Sequence, residues 1–182
     1  AARLGLILPV GLTLLMGLGT GLARLGWQMD PLSMRANTFH GPLMISGFMG
    51  TLILLERVVA LTAIAPRYRW SYAIPAANAL GGVLLLLAGD TMLARGLLLA
   101  GSLGMLGLFA IMLRRHAVIY VAIMALGALC WATGNLLWMA GRPVFETVHW
   151  WSAFLILTVV GERLELARIT RPSWRSQMAL LG

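Results

Sequence analysis

From Trp70 to Ala88, and again from Ala117 to Ala140, the chain runs without a single Asp, Glu, Lys or Arg. About 20 apolar residues in a helix span the hydrocarbon core of a bilayer. Only helices and closed barrels cross it, because every backbone N–H and C=O must find a partner away from water. Runs this long and continuous select the helix. Four further stretches are of similar length: about Leu4–Leu25, His40–Ile64, Thr91–Leu113 and Val144–Ile169. The expected fold is all-α, a polytopic transmembrane bundle of about six helices forming one domain over residues 1–182.

Composition points to the same solvent. Of 182 residues, 60% are hydrophobic and 11% charged, against about 45–50% and about 25% in soluble domains. Too few polar side chains remain to cover a water-facing surface. The net charge of +8 comes from 14 arginines and no lysine. Most of them lie in the turns between spans, where basic residues set topology and meet lipid phosphates, so nucleic acid is not the expected partner. The single cysteine, Cys130, excludes an intramolecular disulfide and any CxxC metal site. It reads as a small core residue.

Orientation follows from the arginines. One side holds Arg3, Arg67, Arg69, Arg114, Arg115, Arg168, Arg171 and Arg175; the other holds Arg24, Arg35, Arg95 and Arg142, interspersed with Asp30, Asp90 and Glu146. The basic side faces the cytoplasm, which puts both termini there and predicts a bacterial inner membrane. Trp27, Trp138, Trp150 and Trp151 then fall near the outer interface, and Trp70 and Trp174 near the inner one, as an aromatic belt. Gly89-Asp90 is expected as a tight turn, His116 as a solvated loop residue, and Pro9, Pro42 and Pro75 in the first turns of their helices.

Ionisable groups inside a bilayer are costly and mark function by default. His40 opens the second span and His149 lies in the first turns of the sixth; each precedes a glutamate by sixteen residues, Glu56 and Glu165. Both helices run inward, so both imidazoles are expected near the outer face, with the acids about 24 Å deeper at roughly 1.5 Å per residue. Each helix also carries an acid–arginine pair near its inner end, Glu56-Arg57 and Glu162-Arg163. Adjacent residues on a helix do not face each other. Cross-pairing of Glu56 with Arg163 and of Glu162 with Arg57 is therefore expected to tie the second helix to the sixth.

Two readings of the histidines stand at this point. Imidazole is the commonest metal ligand, so His40 and His149 could clamp a haem iron or contribute to a copper centre. Met44, Gly47, Gly50 and Thr51 recur at helical spacing below His40, and Asn135 lies at similar depth as a donor to such a ligand. Alternatively the glycines serve helix packing, the histidines bond to loop carbonyls, and Asn135 bonds to a neighbouring helix. No phosphate loop, HExxH or GxSxG element appears.

The segment His40-Gly41-Pro42-Leu43-Met44-Ile45-Ser46-Gly47-Phe48 is similar to the His-x-x-x-Met-x-x-Gly-Phe start of a helix in the NnrS family of haem- and copper-containing membrane proteins. It also resembles the histidine-led helices of haem–copper oxidase catalytic subunits. Thr38 stands where NnrS proteins usually carry a further histidine. The resemblance implies a haem-ligand role for His40, a haem or copper role for His149, and about twelve spans in a complete member, of which this chain would be the first half. The expected function is a membrane subunit that binds haem b or copper near the outer face, for electron transfer or handling of a gas such as nitric oxide. The alternatives are a cofactor-free accessory subunit packed against other membrane subunits and, with less support, a small transporter.

Overall fold

The computed structural model describes residues 2–29, 31–115 and 117–169, without the side chains of residues 2–4, 35 and 169. Asp30, His116, Arg171, Trp174 and Arg175, to which the sequence assigns turn, topology and belt roles, lie outside the described residues, as does the side chain of Arg3.

Among the described residues the chain forms seven helices. Six are long and apolar enough to cross a membrane: α1 (Ala2–Arg24), α3 (Asn37–Ile64), α4 (Pro66–Ala88), α5 (Met92–Arg115), α6 (Ile119–Met139) and α7 (Val144–Ile169). The expected all-α bundle is what forms. A short α2 (Pro31–Arg35) occupies the polar connection after α1, where the sequence suggested only a loop.

The turns follow from local chemistry. α1 and α6 both end in Schellman motifs, with Gly26 (φ 89°) and Gly141 (φ 87°) in the left-handed conformation that glycine adopts without strain. In the second, Arg142 N–H donates to Leu137 O and Gly141 N–H to Trp138 O, both at 3.0 Å. Gly89 and Asp90 turn the chain between α4 and α5 as expected, and the Asp90 carboxylate accepts from the Arg95 guanidinium. Pro9 sits two turns into α1 rather than in its first turn, because the helix already begins at Ala2.

Short turns make successive helices antiparallel neighbours: α4 packs on α5, α5 on α6, and α6 on α7, while α1 lies across α3 and α4. α3 is the central element, with 56% of its span buried against 28% for α1 and for α7. Its winding is not uniform. Leu43–Gly50 forms π-helical turns between α-helical His40–Pro42 and Thr51–Ile64. Pro42 has no N–H to offer the Thr38 carbonyl. Arg24, from the C-terminal end of α1, donates to that carbonyl at 3.3 Å and to Asn37 O at 2.6 Å, so α1 caps the bend.

Glycines bring the central backbones together. A Cβ on Gly82 of α4 would lie 3.0 Å from the Cα of Gly47 on α3 and 3.2 Å from Thr13 of α1. Gly50 leaves the space that Trp131 fills, and Trp131 stacks on Phe154 of α7 with centroids 4.8 Å apart. Small residues at helix crossings supply the dispersion contact that replaces the hydrophobic effect in lipid.

Candidate functional site

Three polar regions lie along the bundle, and α3 contributes to each. The first is built on His40, at the start of the second span. Its Nδ1 lies 2.9 Å from the carbonyl oxygen of Gly17 on α1 and 3.2 Å from Thr20 Oγ1, while Thr20 itself donates to Gly17 O at 2.7 Å. A carbonyl only accepts, so Nδ1 carries a proton, and in the neutral ring that tautomer leaves the lone pair on Nε2. The ring fits because Gly21 has no side chain: a Cβ there would stand 3.0 Å from His40 Cε1. One turn below, the Met44 sulfur fills the matching space over Gly17. His40 and Met44 therefore share one face of α3, set into the Gly17/Gly21 face of α1.

His149 is placed differently. It is exposed on α7, with the neighbouring Trp150 ring 5.5 Å away centroid to centroid. The structure brings His40 together with α1 and leaves His149 on the outer surface of the bundle.

The middle region is a fully buried hydrogen-bond network that spacing alone did not reveal. Asn135 Oδ1 accepts from Ser46 Oγ and from Trp151 Nε1, both at 3.1 Å, and its amide donates to Leu98 O at 3.1 Å. Trp131 Nε1 donates to Ser46 Oγ at 3.0 Å, and the Asn78 amide donates at 2.8 Å to both Ser46 O and Thr51 Oγ1. Ser46, Thr51, Asn78, Trp131, Asn135 and Trp151 are all 0% exposed. Asn135 thus takes the helix-bonding role, with both ends of its amide engaged by protein. Trp138 and Trp151, expected in the outer belt, are core residues at 2% and 0% exposure. Their rings meet edge to face at 5.9 Å, which removes them from the interface. Trp27 and Trp70 remain exposed, as a belt requires.

The glycines below His40 are occupied by packing. Gly47 meets α1 and α4, and Gly50 meets Trp131, so neither leaves a slot for a flat macrocycle inside the bundle.

The third region, toward the C-terminal ends of α3 and α7, is ionic. Arg57, 8% exposed, donates to Glu162 at 2.8 Å and to Glu165 at 3.3 Å, joining α3 to α7. Half of the expected cross-pairing is thus present. The other half is not: Glu56, 61% exposed, has its closest basic partner in Arg57 at 4.0 Å rather than in Arg163. The reason is geometric. Glu162 and Glu165 are three residues apart and present one face to Arg57, whereas Arg163 is turned about 100° away on the helix and is exposed. Beside the pair a cavity of about 280 Å³ is lined by Arg57, Met112, Arg115, Tyr120 and Glu165, among others. Arg115 closes on Tyr68, donating to its hydroxyl at 2.6 Å.

Among the described residues no group of three or more His, Cys, Asp or Glu is placed to hold a metal ion. Of the central network the sequence singled out Asn135; Asn78, alone among apolar neighbours in the third span, was a further signal that went unread. The groups that complete the network come from four other helices: hydroxyls of α3, the Leu98 carbonyl of α5, Trp131 and Asn135 of α6, and Trp151 of α7.

No curated protein and no solved structure matches the chain. The model of one family matches residues 3–182, nearly the whole sequence, and the chain belongs to that family, described as Domain of unknown function (DUF8744).

Proposed function

We propose that this protein is a subunit of the bacterial inner membrane that holds a copper ion or a haem b at its outer face, with His40 as the anchoring ligand. One observation carries the reading: the 2.9 Å bond from His40 Nδ1 to the Gly17 carbonyl. A ligating imidazole commonly donates its other N–H to a carbonyl or carboxylate, which fixes the tautomer and raises the basicity of the remaining nitrogen. That arrangement is already present on α1. The Met44 thioether on the same face adds a soft donor type suited to copper. A macrocycle has no room between α1, α3 and α4, so a haem would reach His40 from the outer surface. A metal there would supply one-electron chemistry or bind a small gas. The chain's own contribution is to orient His40 through Gly17 and Thr20. His149, exposed on α7, would serve only a ligand lying outside this six-helix unit. Asn135 is committed to Ser46, Trp151 and Leu98 and supports the site through helix packing alone.

A second reading, a cofactor-free accessory subunit, is favoured by the buried hydrogen bonds that tie five helices together. Metal analysis and the visible spectrum of the intact purified protein separate the two. A Soret band or stoichiometric copper supports the first; absence of both leaves the second.

A further inference from the structure

Glu56 of α3 and Arg163 of α7 flank the ionic cluster without joining the bonds of Arg57 to Glu162 and Glu165. Both helices run in the same direction, being the second and sixth spans of a bundle whose successive spans alternate. Arg57 and Glu162 point at each other across the gap. Glu56 precedes Arg57, and Arg163 follows Glu162, so each is turned about 100° from that bond. For parallel helices facing each other, one step back on the first and one step forward on the second project to the same side. One flank of the α3–α7 pair therefore presents an acid and a base side by side, at one depth, and both are exposed.

That depth lies within the membrane. Glu56 is eight residues above Ile64 at the inner end of α3, or about 12 Å at 1.5 Å per residue. Charges facing lipid there are costly unless paired. The rest of the flank suits a protein neighbour. Small Ala60 and Ala63 accompany Glu56 on α3, and His149, Ser152 and Ile156 accompany Arg163 at near-heptad spacing on α7; all are exposed. Small residues permit close helix approach, and lipid-facing polar side chains call for a partner.

We propose that this flank is the interface with a second copy of the chain, related by a two-fold axis along the membrane normal. Such an axis exchanges left and right without changing depth. It sets Glu56 of each copy opposite Arg163 of the other, so one surface is complementary to itself, as an isologous interface requires. The pair absent within one chain forms twice between two.

The test co-expresses two differently tagged full-length copies and measures their co-purification from solubilised membranes. Wild-type copies co-purify. Glu56→Arg in both copies, or Arg163→Glu in both, lowers recovery by at least about tenfold, since like charges then meet at two places. A Glu56→Arg copy mixed with an Arg163→Glu copy recovers the wild-type level, because both contacts again join opposite charges. Wild-type copies that fail to co-purify, or a mixture no better than either variant, overturns the proposal. Recovery of a different membrane protein with a single copy, lost in both variants, places another subunit on the flank and also overturns it. As a measurement independent of charge variants, Ile156→Cys in a Cys130→Ser background forms a copy-to-copy disulfide in membranes, whereas Leu103→Cys, exposed on α5, does not. No cross-link at position 156 likewise contradicts the dimer.

Discussion

The side-chain oxygen of Asn135 accepts hydrogen bonds from Ser46 and from Trp151 at the same distance, 3.1 Å, and so joins α3, α6 and α7 at one buried point. Replacing Asn135 with Ala leaves the Trp151 N–H and the Ser46 hydroxyl proton without their acceptor in a region closed to water. Hydrogen bonds in membrane proteins contribute about 0.6 kcal/mol each on average, and unsatisfied buried groups cost more. Asn135→Ala is therefore expected to destabilise the bundle by about 1–3 kcal/mol, read as a lower thermal midpoint in detergent. Thr133→Ala, half-buried on the same helix with its hydroxyl bonded to the Leu129 carbonyl of that helix, leaves the midpoint within error.

A Cβ at Gly50 would overlap the Trp131 ring. Trp131 cannot retreat, since it is fully buried and stacked on Phe154. Gly50→Ala is expected to cost about 1–3 kcal/mol, the usual range for overpacking. Gly96→Ala, with open space at its Cβ, has no such effect. The same thermal assay distinguishes them.

Arg57 neutralises two carboxylates at once. Its loss leaves like charges on one face of α7, so Arg57→Met is expected to lower stability by about 1–3 kcal/mol, below the range for fully buried pairs because the glutamates are partly exposed. Adding Glu162→Gln and Glu165→Gln to Arg57→Met restores most of the loss. Glu162→Gln alone costs more than Glu165→Gln alone, following the shorter bond. A triple variant no more stable than Arg57→Met would show that packing, not charge, sets the effect.

The arginine distribution predicts a cytoplasmic face at the Pro66–Tyr72 turn and an outer face at Gly89–Asp90. In spheroplasts of a Cys130→Ser variant, a cysteine at Asp90 is expected to react with an impermeant maleimide, and one at Arg67 only after lysis. The reverse pattern inverts the topology.

The number, type and limits of the spans were legible because hydrocarbon leaves the backbone one solution per apolar run. α3 and α7 end within a few residues of where their apolar runs end. The contacts among spans were less legible, because facing residues depend on rotation about each helix axis. Ser46 shows this: its partners are Asn135 and Trp131 on α6 and, through its carbonyl, Asn78 on α4. The π-helical turns of Leu43–Gly50 rotate it away from where ideal spacing would place it. Arg57 was assigned its Glu162 partner correctly, since two oppositely charged residues at one depth have few alternatives. Glu56 with Arg163 failed within the chain because both point to one side rather than at each other. Trp138 and Trp151 were misplaced because an indole near a helix end suits either an interface or a core, and the acceptor that holds Trp151 inside, Asn135, lies on a different helix.

The metal content and visible spectrum of the purified protein, measured for the wild type and for His40→Ala, His149→Ala and Met44→Leu, test the central claim most directly. The account predicts haem or near-stoichiometric copper in the wild type and its loss in His40→Ala at unchanged thermal midpoint. Met44→Leu weakens retention if the metal is copper, and His149→Ala retains the metal within a single copy. A wild-type protein free of both haem and copper, or a His40→Ala variant that keeps its full complement, would contradict it.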